Sequence, residues 1–113
     1  MLENYKKALY IIDMNNGFVN FGPMANPEYK KLIVEQLKAI QKVRKEGGLV
    51  NFVLEGHHKG STEFDSYPEH CIHGTAECLL VPELLKEADL PNTNTYYKNC
   101  INGMLNRKIQ DDL

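Results

Sequence analysis

Positive charge is not in excess, long apolar runs are missing and cysteine is sparse; each shortage excludes a class of protein. Thirteen basic and 15 acidic residues are scattered along 113 positions for a net charge of −2. That leaves no basic stripe to follow a phosphate backbone and no polybasic patch for an anionic membrane surface, so no nucleic-acid partner is expected. No apolar run approaches the roughly 20 residues that cross a bilayer. The amino-terminal residues, Glu3 and two lysines ahead of a short apolar stretch, lack the layout of a secretory signal. No membrane association and a cytoplasmic address are the expectations. Cys71, Cys78 and Cys100 make an odd set, which suits reduced thiols better than a disulfide framework. Repeats, low-complexity tracts and linkers are absent too. With 42% hydrophobic and 25% charged residues, the composition is that of one folded domain.

What is present begins with the stretch from Lys7 to Phe18. Ala8 to Ile12 is an apolar run bounded by charge on one side and an Asn/Gly cluster on the other, the pattern of a strand buried on both faces of a parallel sheet. Asp13 closes it. A carboxylate at the carboxyl end of such a strand lies where the ligand crevice of an α/β sheet opens; alternatively, Asp13 caps the turn through Asn15 to Gly17.

Alternating strand and helix signals follow. Asn26 can act as N-cap with Pro27 at the first helical position. Tyr29, Leu32, Ile33, Leu37, Ile40 and Val43 then recur at three- and four-residue steps, which predicts a helix ending at Gly47-Gly48. Leu49 to Leu54 reads as a second strand, stopping at Glu55. Strand, helix and strand in that order make a βαβ unit with parallel strands and bring Asp13 and Glu55 to one rim. Gly56 to Thr75 has no sustained periodicity and is dense in His, Gly, Ser and Pro, as functional loops are. Val81 to Ala88 predicts a short helix, Thr95 to Tyr97 a third strand ending at Lys98, and Ile101 onward a weakly amphipathic helix.

These residues together resemble the isochorismatase-like cysteine hydrolases, nicotinamidases among them. The family's Asp at the end of the first strand, followed by a short turn and a Phe, is matched by Asp13 to Phe18. Its acid-x-His motif after the second strand is matched by Glu55-Gly56-His57, with Glu where Asp is usual. Tyr67-Pro68-Glu69-His70-Cys71 and Gly74-Thr75 match its aromatic-Pro-x-His-Cys loop, and Lys98 its strand-ending Lys. The resemblance implies an α/β fold, a doubly wound parallel sheet with helices on both faces. It also implies hydrolysis of a small amide, in which a Cys thiolate attacks the carbonyl carbon, releasing ammonia or an amine. Asp13 would be the base, Lys98 the cation, and Phe18 and Tyr67 the aromatic walls of the pocket. Glu55, His57 and His70 would hold one divalent ion, zinc foremost, and no organic cofactor is implied. A competing set, His70, Cys71, His73 and Cys78, offers mixed N/S donors at a spacing that fits no standard zinc module. His58 and His73 are otherwise solvated loop histidines.

The family's nucleophilic Cys follows a fourth strand, in a Gly-x-x-[Thr/Ser]-[Asp/Asn]-x-Cys turn well downstream of the Lys. No such turn occurs here. Residues 1–113 therefore read as the amino-terminal part of one such domain, truncated after about three strands, with none of the three cysteines as nucleophile. A sheet of that kind leaves an edge open on the strand carrying Asp13. The expected partner is the missing carboxyl-terminal half or a second copy of the chain. The alternative function is a non-catalytic remnant or interaction module that pairs this edge with a partner.

Overall fold

The computed structural model describes residues 6–60, 62–65 and 67–98. Three strands, β1 (Ala8–Ile12), β2 (Leu49–Glu55) and β3 (Thr93–Lys98), form a parallel sheet in the order β1-β2-β3. Ala8 pairs with Leu49 and Ile12 with Val53; Val50 pairs with Thr93 and Glu55 with Lys98. Between them run α1 (Asn16–Val19), α2 (Ile33–Lys45) and α3 (Pro82–Leu85), with short 3-10 turns elsewhere. This is the α/β arrangement that the sequence predicts. The helix expected from Ile101, and Cys100, lie outside the described residues.

The order leaves the open edge on β1, the strand carrying Asp13, as expected, but burial corrects the expectation that Ala8 to Ile12 is covered on both faces. β2, with every residue from Leu49 to Glu55 buried, is the strand enclosed on both faces. β1 lies at the edge of the described sheet and buries only Ile11 fully, while Ile12 is 53% exposed. Both runs are apolar, and local sequence does not say which one has neighbours on two sides.

The main core forms on one face of the sheet, where Ile11, Val50, Phe52 and Leu54 meet Ile33 and Ile40 of α2 and Leu84 of α3. Burying such side chains contributes roughly 1.5–3 kcal/mol each. The other face carries Tyr10, Val53 and Tyr96. The expected helix after Asn26 opens as a 3-10 turn over Pro27–Leu32, where the Asn26 side chain accepts from the Glu28 amide at 3.1 Å. Tyr29 and Leu32 consequently leave the core face and are 45% and 49% exposed. At its other end, α2 is pinned to the turn before β3 by Arg44, which donates to Thr93 Oγ1 at 2.9 Å and to the Glu87 carbonyl at 3.1 Å.

Candidate active site and metal centre

Parallel strands deliver their carboxyl ends to one rim, which gathers Asp13, Glu55 and Lys98. The Asp13 amide donates to the Val53 carbonyl at 2.8 Å, and the residue turns out of the strand with φ of 64°, a left-handed conformation that Asp tolerates better than most residues. Lys98, 2% exposed, holds its ammonium 3.1 Å from Asp13 Oδ1 and 3.9 Å from Glu55 Oε1. Asp13 is divided between two surroundings. Its side chain is 43% exposed, yet Oδ1 is buried and accepts no hydrogen bond of good geometry among the described residues. That oxygen is held by charge and keeps its lone pairs open to a proton donor.

Beside this pair, the second Glu55 oxygen faces two imidazoles. Oε2 is 2.6 Å from His57 Nε2 and 3.3 Å from His70 Nε2. The donor atoms of the three buried residues all lie within 4.8 Å of one another. The loop is folded back to achieve this: the His57 amide donates to the Cys71 carbonyl at 2.9 Å, and the His73 amide to the His57 carbonyl at 2.8 Å. His70 Nδ1 is 2.7 Å from the Pro68 carbonyl. A proton on that nitrogen leaves Nε2 as a bare donor, the usual outer-sphere arrangement for a histidine ligand. Phe64 packs on both imidazoles at centroid distances of 5.4 and 5.5 Å, and Phe18 on His70 at 5.5 Å. Two imidazoles and one carboxylate converging in a buried site suit a divalent transition metal.

Two residues that sequence reading passed over hold this geometry. Asn15, read only as a turn residue, is fully buried and donates from Nδ2 to the carbonyls of Glu55 (2.8 Å) and Cys78 (3.0 Å). Its Oδ1 accepts from the Glu55 amide at 3.1 Å. Glu77 accepts from the Cys71 amide at 3.3 Å. A Cβ on Gly17 would stand 2.7 Å from Cys71 Sγ, and one on Gly22 2.7 Å from Glu77 Oε1, so the turn after β1 closes onto this loop. No local pattern marks either residue.

Cys71 and Cys78 are buried free thiols. Burial pushes the Cys71 thiol far up from its ordinary range, with the Glu55 and Glu77 carboxylates adding to the effect, and burial raises Cys78 as well. Neither is poised as a thiolate. His58 and His73 are exposed and stack on each other at 6.3 Å; among the described residues the grouping of donors is Glu55, His57 and His70, not the Cys-containing set. A cavity of about 380 Å³ opens at the rim, lined by Ile12, Asp13, Phe18, Met24, Tyr29 and Glu55, among others. Tyr67 is 45% exposed on the loop before His70 and is not among its lining residues.

Fold and site together define an α/β protein with a carboxylate–ammonium pair and a metal-compatible Glu/His/His cluster on one sheet rim. The isochorismatase domain model matches residues 7–112, and the chain belongs to that family. It is 33% identical over 112 residues to nicotinamidase 1 of Arabidopsis thaliana, an alignment that covers 92% of this chain and 45% of that protein. Among solved structures, the pyrazinamidase/nicotinamidase of Streptococcus mutans superposes with a TM-score of 0.80 at 21% identity, covering 95% of this chain and 66% of the other. The pyrazinamidase of Pyrococcus horikoshii, solved in complex with zinc, gives 0.69 at 22% identity, covering 93% and 64%. The chain thus spans less than half the length of the plant relative and about two thirds of these structures.

Proposed function

We propose that residues 1–113 carry the acid–base and metal-binding part of a cysteine amidohydrolase domain that acts on a small amide. The observation that carries this reading is the Asp13–Lys98 pair, 3.1 Å apart, with Asp13 in the lining of the rim cavity. Asp13 takes the proton of a cysteine thiol, and the thiolate adds to the amide carbonyl carbon. The Lys98 ammonium favours the negative charge that develops there. As the tetrahedral adduct collapses, the C–N bond breaks and the departing nitrogen takes the proton back from Asp13. Water then attacks the thioester, losing its proton to Asp13 and expelling the thiolate, which regenerates the site.

The thiol itself comes from a segment equivalent to the part of the relatives that this chain does not span, since the buried, protonated Cys71 and Cys78 do not suit the role. Phe18, which lines the cavity, is the aromatic wall that holds the amide's ring; Tyr67, outside that lining, is a second wall only where the rest of the domain extends the pocket to it. Glu55, His57 and His70 would hold one divalent ion, zinc in this reading, which would supply Lewis acidity at the rim. The names of the plant and streptococcal relatives make nicotinamide the first amide to try.

The test is ammonia release by the complete protein. Asp13→Asn and Lys98→Ala should each lower kcat by about 10²–10⁴ with the fold retained, and near-normal rates in either would refute the assignment. The 113-residue chain alone should release no ammonia. His57→Ala and His70→Ala should abolish bound metal, and unchanged metal content in both would place any ion elsewhere. A second reading, a non-catalytic module, is favoured by the exposure of Ile12 on the β1 edge; a partner chain or second copy bound there without amide turnover would select it.

A further inference from the structure

Glu55 belongs to both halves of the rim. Its Oε2 meets His57 and His70 at 2.6 and 3.3 Å, while Oε1 lies 3.9 Å from the Lys98 ammonium, which in turn sits 3.1 Å from Asp13 Oδ1. Both Glu55 and Lys98 are nearly fully buried, so water screens the exchange of charge between them very little. The extra methylene of Glu over the family's usual Asp gives the carboxylate reach toward the imidazoles and the ammonium at once.

We propose that Glu55 makes the divalent ion and the Lys98 ammonium compete for one carboxylate, so that metal occupancy sets how firmly Lys98 is held by Asp13. The proposal rests on reading Glu55, His57 and His70 as the metal centre. Metal on Glu55 draws the carboxylate's charge away from Lys98, which is left to pair with Asp13. In the absence of metal, Lys98 is shared between the two acids. Linkage requires the converse: whatever ties Lys98 more closely to Glu55 weakens the ion by the same factor.

The experiment is zinc titration of the purified protein against a chromophoric chelator at one pH, for wild type, Lys98→Met, Asp13→Asn and the double variant, with circular dichroism to verify folding. Lys98→Gln, which keeps a polar head in the same space, is carried alongside. Removing the ammonium should tighten zinc about tenfold, and Asp13→Asn should loosen it about fivefold although Asp13 is no ligand. In the Lys98→Met background the Asp13→Asn effect should vanish, because its route through Lys98 is gone. Zinc should also raise the Tm of Lys98→Met by more than it raises that of wild type. Unchanged or weaker zinc binding in both Lys98 variants would overturn the coupling while leaving the metal centre standing. So would an Asp13→Asn effect of equal size with and without Lys98, the mark of simple through-space attraction. Wild type that takes up no zinc, or His57→Ala and His70→Ala variants that bind it as tightly, would overturn the metal centre and the coupling with it.

Discussion

Asn15→Ala should be among the most damaging substitutions in this chain for its size. The side chain is fully buried and makes three hydrogen bonds, two to carbonyls of Glu55 and Cys78 and one from the Glu55 amide. After truncation the Glu55 carbonyl keeps the Cys78 thiol at 3.3 Å, but the Glu55 N–H and the Cys78 carbonyl each lose their Asn15 partner. Stranding a buried polar group costs about 1–3 kcal/mol. Two such groups plus the space left by the amide put the loss at about 3–5 kcal/mol. Urea denaturation followed by circular dichroism reads this directly, as a midpoint lowered by about 2 M for a chain of this size. Asn15→Asp separates the hydrogen bonds from the cavity: it fills the same volume but points a carboxylate oxygen at two carbonyls, and should fall at least as far. A loss under about 1 kcal/mol in both variants would show that the Asn15 bonds do not hold the Glu55 backbone in place.

Alkaline pH offers a second test. The folded state keeps Cys71 and Cys78 protonated above their ordinary range, whereas unfolded thiols ionise near pH 8.5–9. Their contribution is therefore whole below about pH 8.5 and drains away above it, by up to about 1.4 kcal/mol per pH unit for each thiol. Urea midpoints at pH 8 and 10 should show the decline, and Cys71→Ala should make it shallower; an unchanged slope would contradict the burial argument. Gly17→Ala places a methyl 2.7 Å from Cys71 Sγ and 3.0 Å from Glu77 Cβ, an overpacking worth about 1–3 kcal/mol. A Tm within a degree of wild type would show that the loop yields freely.

Much of the fold was legible because its strands are short apolar runs closed by charge, and parallel connection sends those closing charges to one rim. Asp13, Glu55 and Lys98 meet there as their places in the sequence predict. Burial was legible only in part. β1 and β2 have similar composition, and which is enclosed depends on neighbours far along the chain. Tyr29 and Leu32 fit the helical period, yet a 3-10 opening rotates them out of the core. Asn15 escaped for a related reason: it sits in a run that reads as a turn, while its hydrogen-bond partners lie 40 and 63 residues away. Glu77 carries no periodic or motif signal at all.

The left-handed backbone at Asp13, with φ of 64°, bears on how this position would evolve. Asn and Gly are more comfortable there, and an Asp in that conformation forgoes stability on the order of 1 kcal/mol. A library sorted only for folding should drift from Asp13 toward Asn or Gly. Sorting on turnover should hold the carboxylate against that drift, so the residue recovered here reports which of the two pressures a lineage has been under.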